Sequence, residues 1–138
     1  MSKIILYNIC LIKNEKDEIL VQKRFRGMKG FSFPGGKINP DESIEESVCR
    51  EVLEETGLQV ITKHFVSTVS FYDSVLDERT QVFLFKCDKF QGELIRENDE
   101  GLFFWCCLDD FLELQHVDGM NEFIKAYNNE SFEWHYNE

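Results

Sequence analysis

Three glutamates, Glu51, Glu54 and Glu55, stand at i, i+3 and i+4, a spacing that stacks their carboxylates on one face of a helix. Like charges so placed destabilise an isolated helix by about 0.2–0.5 kcal/mol per pair, and no lysine follows to neutralise them. Arg50 is the one cation between positions 43 and 56, with Glu46 four residues earlier to pair with it. Hard divalent cations are held by oxygen, and Mg²⁺ takes one or two carboxylates together with the phosphates of a substrate. A solvated acidic face is the commoner outcome for an arbitrary E-x-x-E-E. The chemistry therefore turns on what positions the three acids.

The flanking residues predict one loop and one helix. Pro34-Gly35-Gly36 reads as a turn, because proline fixes φ and glycine allows φ > 0. Ser43 is an N-cap, and Glu46 three residues later completes a capping box. Pro40 suits a helix entry and not an interior. Ile44, Val48 and Val52 recur every four residues as one buried stripe. Gly57 sits where a C-terminal glycine belongs. The helix is expected over 43–56.

This stretch resembles the signature box of the Nudix hydrolases, G-x5-E-x7-R-E-U-x-E-E-x-G-U with U aliphatic. Gly36, Glu42, Arg50, Glu51, Val52, Glu54, Glu55, Gly57 and Leu58 fill every fixed position. The resemblance implies an α/β fold, a Nudix-type α/β/α sandwich with a mixed sheet and a loop-helix catalytic box. It implies Mg²⁺ as cofactor, with Mn²⁺ as a substitute, held by Glu51, Glu54, Glu55, the Gly36 carbonyl and Glu100. Glu51 or Glu54 would take the proton of the attacking water, with Glu100 as the outsider. Arg50 would orient a carboxylate, and Glu42 would fix the loop to the helix.

Substrate contacts follow from the same resemblance. Lys23, Arg24 and Arg26 form the densest basic cluster of an acidic chain, which on composition alone fits a solvated strand end equally well. In similar proteins Arg24, with Lys23 beside it, would contact phosphates, and Lys37 could join them. Phe31-Ser32-Phe33 would line the base pocket, chiefly through Ser32 and Phe33. Arg79 would lie over the purine, and Asp118 or Asn121 would read the base edge; otherwise these two are helix caps. The features together look most like the MutT-type branch. That implies a nucleoside triphosphate pyrophosphohydrolase, such as one that clears 8-oxo-dGTP from the nucleotide pool in the service of DNA repair. The alternatives are a hydrolase of diadenosine polyphosphate or ADP-ribose, or a Nudix-fold sensor without turnover. The ADP-ribose branch's proline beyond the box is absent, and Tyr72 lies a little early for the tyrosine of the diadenosine branch.

Bulk properties agree with a small anionic substrate and not a polymer. The 138 residues, 43% hydrophobic and 14% aromatic, suffice for one globular domain spanning 1–138. A formal charge of −11 excludes general electrostatic binding of nucleic acid. A nucleotide would need a metal or local cations to approach. The five cysteines show no zinc spacing and read as reduced thiols of a cytoplasmic protein. No signal peptide or membrane span is visible. A monomer or homodimer is expected, with no membrane partner.

Along the rest of the chain, strands are expected at 3–12 and 18–24, joined as a hairpin by the turn at 14–17. Further strands are expected at 59–70, 79–86 and 102–108, with polar connections at 72–78 and 96–101. Two short helices follow at 109–113 and 119–128. The tail, 131–138, reads as too short for an element of its own.

Overall fold

The computed structural model describes residues 2–27, 29–129 and 131–137. The elements run β1 (Lys3–Ile12), β2 (Ile19–Arg24), β3 (Gly30–Ser32), β4 (Gly35–Lys37), α1 (Ile44–Thr56), β5 (Gln59–Asp73), β6 (Glu78–Gln91), β7 (Glu97–Asn98), β8 (Gly101–Cys106), α2 (Leu108–Leu112), α3 (Met120–Asn128) and β9 (Glu133–Asn137). They form a mixed five-stranded sheet, β4-β1-β6-β5-β9, and an antiparallel four-stranded sheet, β3-β2-β8-β7. Within the larger sheet β1 runs parallel to β6 and β5 parallel to β9.

Burial follows the strand period. On β1, Cys10 and Ile12 point to one face, where they meet Val48 and Val52 of α1, Leu20 of β2 and Phe85 of β6. Tyr7, Ile9 and Leu11 point to the other face, towards Val82, Leu84, Met120 and Ala126 under α3. The larger sheet therefore lies between α1 and α3, the expected sandwich. Val48 and Val52 have no exposed surface, and each contributes about 1.5–3 kcal/mol through burial.

The hairpin of β1 with β2 does not form. The turn is there, with Asn14 Oδ1 accepting from the N–H groups of Lys16 and Glu18. Beyond one bridge, Lys13 to Ile19, the strands part. β1 takes β4 and β6 as neighbours, and β2 takes β3 and β8. Each strand is flanked on both edges within its own sheet, which leaves no free edge for the two to pair.

The tail also departs from expectation. Residues 133–137 form β9, with Trp134 and Tyr136 turned inward and Glu133 held by Arg79 and Gln81. The connection at 72–78 is shorter than expected, because β5 extends to Asp73 and β6 begins at Glu78. The strand expected over 102–108 stops at Cys106, and Cys107 becomes the N-cap of α2.

Candidate active site

The loop-helix is built as its capping residues dictate. Ser43 Oγ accepts from the Glu46 N–H at 3.0 Å, and Gly57 closes α1 in the left-handed region at φ 78°. Gly35 and Gly36 act differently from the expected turn. They belong to β4, opposite Ile9 and Asn8, and neither has positive φ. Both are glycine because of close approach. A Cβ on Gly35 would strike the Asn8 backbone, and one on Gly36 would lie 2.5–2.6 Å from the Glu51 carboxylate. Gly36 thus seats Glu51 directly against backbone.

Arg50 then clamps the acids. It turns away from Glu46 and donates to both oxygens of Glu42 at 2.7 and 2.8 Å, to Glu51 at 2.9 Å, to Glu54 at 3.1 Å and to the Lys37 carbonyl at 3.0 Å. The planar fork of a guanidinium permits this set; a lysine ammonium does not. Hydrogen bonds from Arg50, then from the Asn39 N–H, hold the Glu42 carboxyl down at about 2. Glu42 in return raises the Arg50 pKa. Glu42 and Arg50 therefore tie the loop to the helix. Glu54 belongs to this outer cluster, with its side chain 60% exposed.

The inner pair is Glu51 and Glu55. Glu55 continues the Val48–Val52 stripe inward and is 7% exposed, with Oε2 buried and unpartnered. Burial first, then a hydrogen bond shared with Glu51 and the charges of Glu51 and Glu100, push its carboxyl far above the usual range, against a smaller opposing pull from Arg24. A buried carboxylate pair of this kind calls for a proton or a cation between its members.

These residues open on a cleft of about 710 Å³. Of the residues singled out in the sequence, Arg24, Ser32, Phe33, Gly36, Lys37, Glu51, Glu55, Glu100 and Asp118 line it. Lys23, Arg50, Glu54, Arg79 and Asn121 do not. Arg79 lies on the opposite face of β6 from the cleft-lining Glu78 and Thr80, bonded to Glu133 at 2.9 Å and to Gln81 at 3.0 Å. Strand alternation decides this, since neighbours on β6 face opposite ways. Tyr72 likewise turns outward and donates to Asp77.

Two contributors went unnoticed in the sequence. Asn8 is 1% exposed; its Nδ2 donates to Ser47 Oγ at 2.7 Å and its unpartnered Oδ1 is buried in the cleft lining. The signal was one polar residue inside the apolar run of β1. Phe71 also lines the cleft, stacked on Tyr136 (5.7 Å, 23°) and edge-on to Phe123 (5.8 Å, 84°). No local signal marks it, because its partners come from α3 and β9. A smaller cavity of about 310 Å³ borders Phe33, lined by Lys13, His64 and Tyr127, and none of the box acids reaches it.

The donor set suits a hard cation. Among the described residues no three His, Cys, Asp or Glu side chains converge into a ready-made metal site. Glu51 and Glu55 instead supply two oxygen donors, one of them buried and unpartnered. Two carboxylates completed by substrate phosphates are what Mg²⁺ ordinarily uses. Gly36 and Glu100 border the same cleft.

The model of the NUDIX domain family matches residues 7–127. An uncharacterized Nudix hydrolase of Bacillus subtilis, YvcI, is 31% identical over 114 residues, 80% of this chain and 70% of that protein. The oxidized purine nucleoside triphosphate hydrolase of Mus musculus is 36% identical over 93 residues; the match covers 67% of this chain and 60% of the mouse protein. Among solved structures, a MutT protein of Bacillus halodurans superposes with a TM-score of 0.80 at 28% identity, over 96% of this chain and 90% of that one. No helix among the described residues is long and apolar enough to cross a membrane.

Proposed function

The chain belongs to the NUDIX domain family, and from that premise we propose that it is a Mg²⁺-dependent pyrophosphohydrolase of purine nucleoside triphosphates. Oxidised purines such as 8-oxo-dGTP are the foremost substrates, released as nucleoside monophosphate and pyrophosphate. Clearing them from the nucleotide pool would protect DNA. The observation that carries this reading is the placement of Glu51 and Glu55, the latter with a buried unpartnered oxygen, on a cleft that the aromatic Phe71 also lines. The acids suit a metal-bound polyphosphate and the aromatic ring suits a base.

Bound there, Mg²⁺ would neutralise phosphate charge and lower the pKa of water. The protein's own groups do the rest. Arg24 and Lys37 border the cleft and draw the polyphosphate in against a net charge of −11. Glu51, pinned between Gly36 and Arg50, accepts the proton of the attacking water. The new bond joins that water oxygen to phosphorus, and the anhydride oxygen departs with the pyrophosphate or nucleotide product. Arg50 keeps Glu51 in one rotamer, and Glu54 serves on the outer side of the clamp. Glu100, whose charge reaches Glu55 and which borders the same cleft, would join the metal and water site. Phe33, Phe71 and Asp118 border the base end. The whole chain is read as one catalytic domain, and its five free thiols suit a reducing cytoplasm.

The test is a panel of 8-oxo-dGTP, dGTP, ADP-ribose and diadenosine tetraphosphate with Mg²⁺, run on the wild type and on Glu51→Gln and Glu54→Gln. Pyrophosphate release from the purine triphosphates, lost in Glu51→Gln, supports the reading. Cleavage of ADP-ribose alone would reassign the substrate. Tight nucleotide binding without turnover would make the protein a sensor.

A further inference from the structure

Glu100 stands at the tip of the turn between β7 and β8, on an exposed loop, yet its backbone is held from two sides. Its N–H donates to Asn98 Oδ1 at 2.9 Å, and its carbonyl accepts from the Phe25 N–H at 2.8 Å. Asn98 Oδ1 also accepts from the Gly101 N–H at 3.2 Å. The other end of the same amide reaches the end of α1, where Nδ2 donates to the Glu55 carbonyl at 2.9 Å.

That carbonyl lies in the last turn of α1, where backbone acceptors have no partner within the helix. Thr56, the next residue, accepts from the Ile95 N–H at 2.8 Å. One side chain therefore binds both the peptide that presents Glu55 and the peptide that presents Glu100. An asparagine is suited to this as aspartate and leucine are not. It donates at one end of the amide and accepts twice at the other.

We propose that Asn98 is the positioning residue for Glu100, fixing the distance between that carboxylate and the Glu51–Glu55 pair. The inference rests on the reading of Glu100 as part of the metal and water site. Loss of the tether leaves Glu100 anchored to β2 through the Phe25 N–H but no longer braced against α1 by Asn98, so its carboxylate can shift relative to Glu55. Residues that hold a ligand from behind are worth about ten- to a hundredfold in activity or metal affinity.

The experiment combines Asn98→Asp, Asn98→Leu, Glu100→Gln and the double variant Asn98→Leu/Glu100→Gln. The aspartate keeps both acceptor contacts, replaces the donor to α1 with an oxygen that repels the Glu55 carbonyl, and adds one negative charge; the leucine removes the contacts without adding charge. The readouts are kcat and KM with Mg²⁺, and Mn²⁺ affinity by electron paramagnetic resonance without nucleotide. Each single variant should lower kcat by about ten- to a hundredfold and weaken Mn²⁺ binding, with KM moved less than about twofold. In the double variant the losses should not multiply, because Asn98 acts through Glu100. Full activity in Asn98→Asp, or multiplying losses in the double variant, would overturn the proposal while leaving Glu100 in place. Wild-type kcat and Mn²⁺ affinity in Glu100→Gln would instead remove Glu100 from the site, and Asn98's role with it. Far-ultraviolet circular dichroism of Asn98→Asp separates either result from unfolding.

Discussion

Gly36 faces Glu51 with no room for a side chain between them: a Cβ on Gly36 would lie 2.5 Å from the Glu51 Cδ. Gly36→Ala must therefore displace the carboxylate, since the backbone of β4 is fixed by pairing with β1. A displacement of about 1 Å at a reacting group costs on the order of a hundredfold in rate. The expected outcome is that loss in kcat with an unchanged circular dichroism spectrum. Retained kcat would mean that Glu51 does not act from this seat.

Glu55 makes the metal-free protein sensitive to base. Its folded pKa is raised from 4.5 to about 9, so between those values the folded chain holds a proton that the unfolded chain has released. Stability then falls as pH rises through that window, and the group contributes no difference below it. In the presence of a chelator, Tm of the wild type should fall more steeply from pH 5 to pH 9 than Tm of Glu55→Gln. Mg²⁺ should recover the stability that the wild type loses near pH 8 by binding the ionised form. Parallel curves for the two proteins would contradict the buried, proton-sharing arrangement.

Arg50 governs the acid side. Glu42 is depressed from 4.5 to about 2 by its Arg50 hydrogen bonds. Its contribution to stability is complete above 4.5 and is lost as pH falls to about 2. Arg50→Ala should flatten the acid unfolding profile across that interval and lower kcat by about a hundredfold. Arg50→Lys should recover little of either, because an ammonium cannot serve Glu42, Glu51 and Glu54 together. An unaltered profile in Arg50→Ala would show that the Glu42 pairing stores no folding energy.

Arg79 belongs to the outer face, where it ties β6 to β9 through Glu133 with side chains 44% and 33% exposed. A pair this open to water contributes roughly 0.2–1 kcal/mol. Arg79→Ala should lower Tm slightly and leave KM for a purine triphosphate within about twofold. A tenfold rise in KM would return the arginine to the base, as the sequence alone had suggested.

What was legible in the sequence was local. Ser43, the Val48–Val52 spacing and Gly57 fix α1 through contacts within a few residues, and Arg50 and the glutamates follow from it. Gly35 and Gly36 were legible as glycines but not for their reason, since the groups they avoid sit on β1 and α1. The β1–β2 hairpin misled because a good turn at Asn14 says nothing about which sheet each strand enters. β9 shows its alternation plainly, Trp134 and Tyr136 against Glu133 and His135. Its partner, β5, lies some sixty residues upstream, and no short-range rule names it. Glu54 and Glu55 are neighbours of identical type, yet one is exposed and one buried, because only Glu55 falls on the side of α1 that meets the sheets.

The parallel pairing of β1 with β6 sets Lys3 opposite Glu78 and Ile12 opposite Cys87. A chain leaving the ribosome thus produces its acidic helix well before the strand that completes the platform beneath it. Until Phe85 and Phe103 emerge, Val48 and Val52 have no full partner surface and the helix is on its own. Closing so distant a contact is slow. Conditions that delay this closure, such as cold or a weakened β6, should therefore surface first as poor soluble yield and only afterwards as poor catalysis.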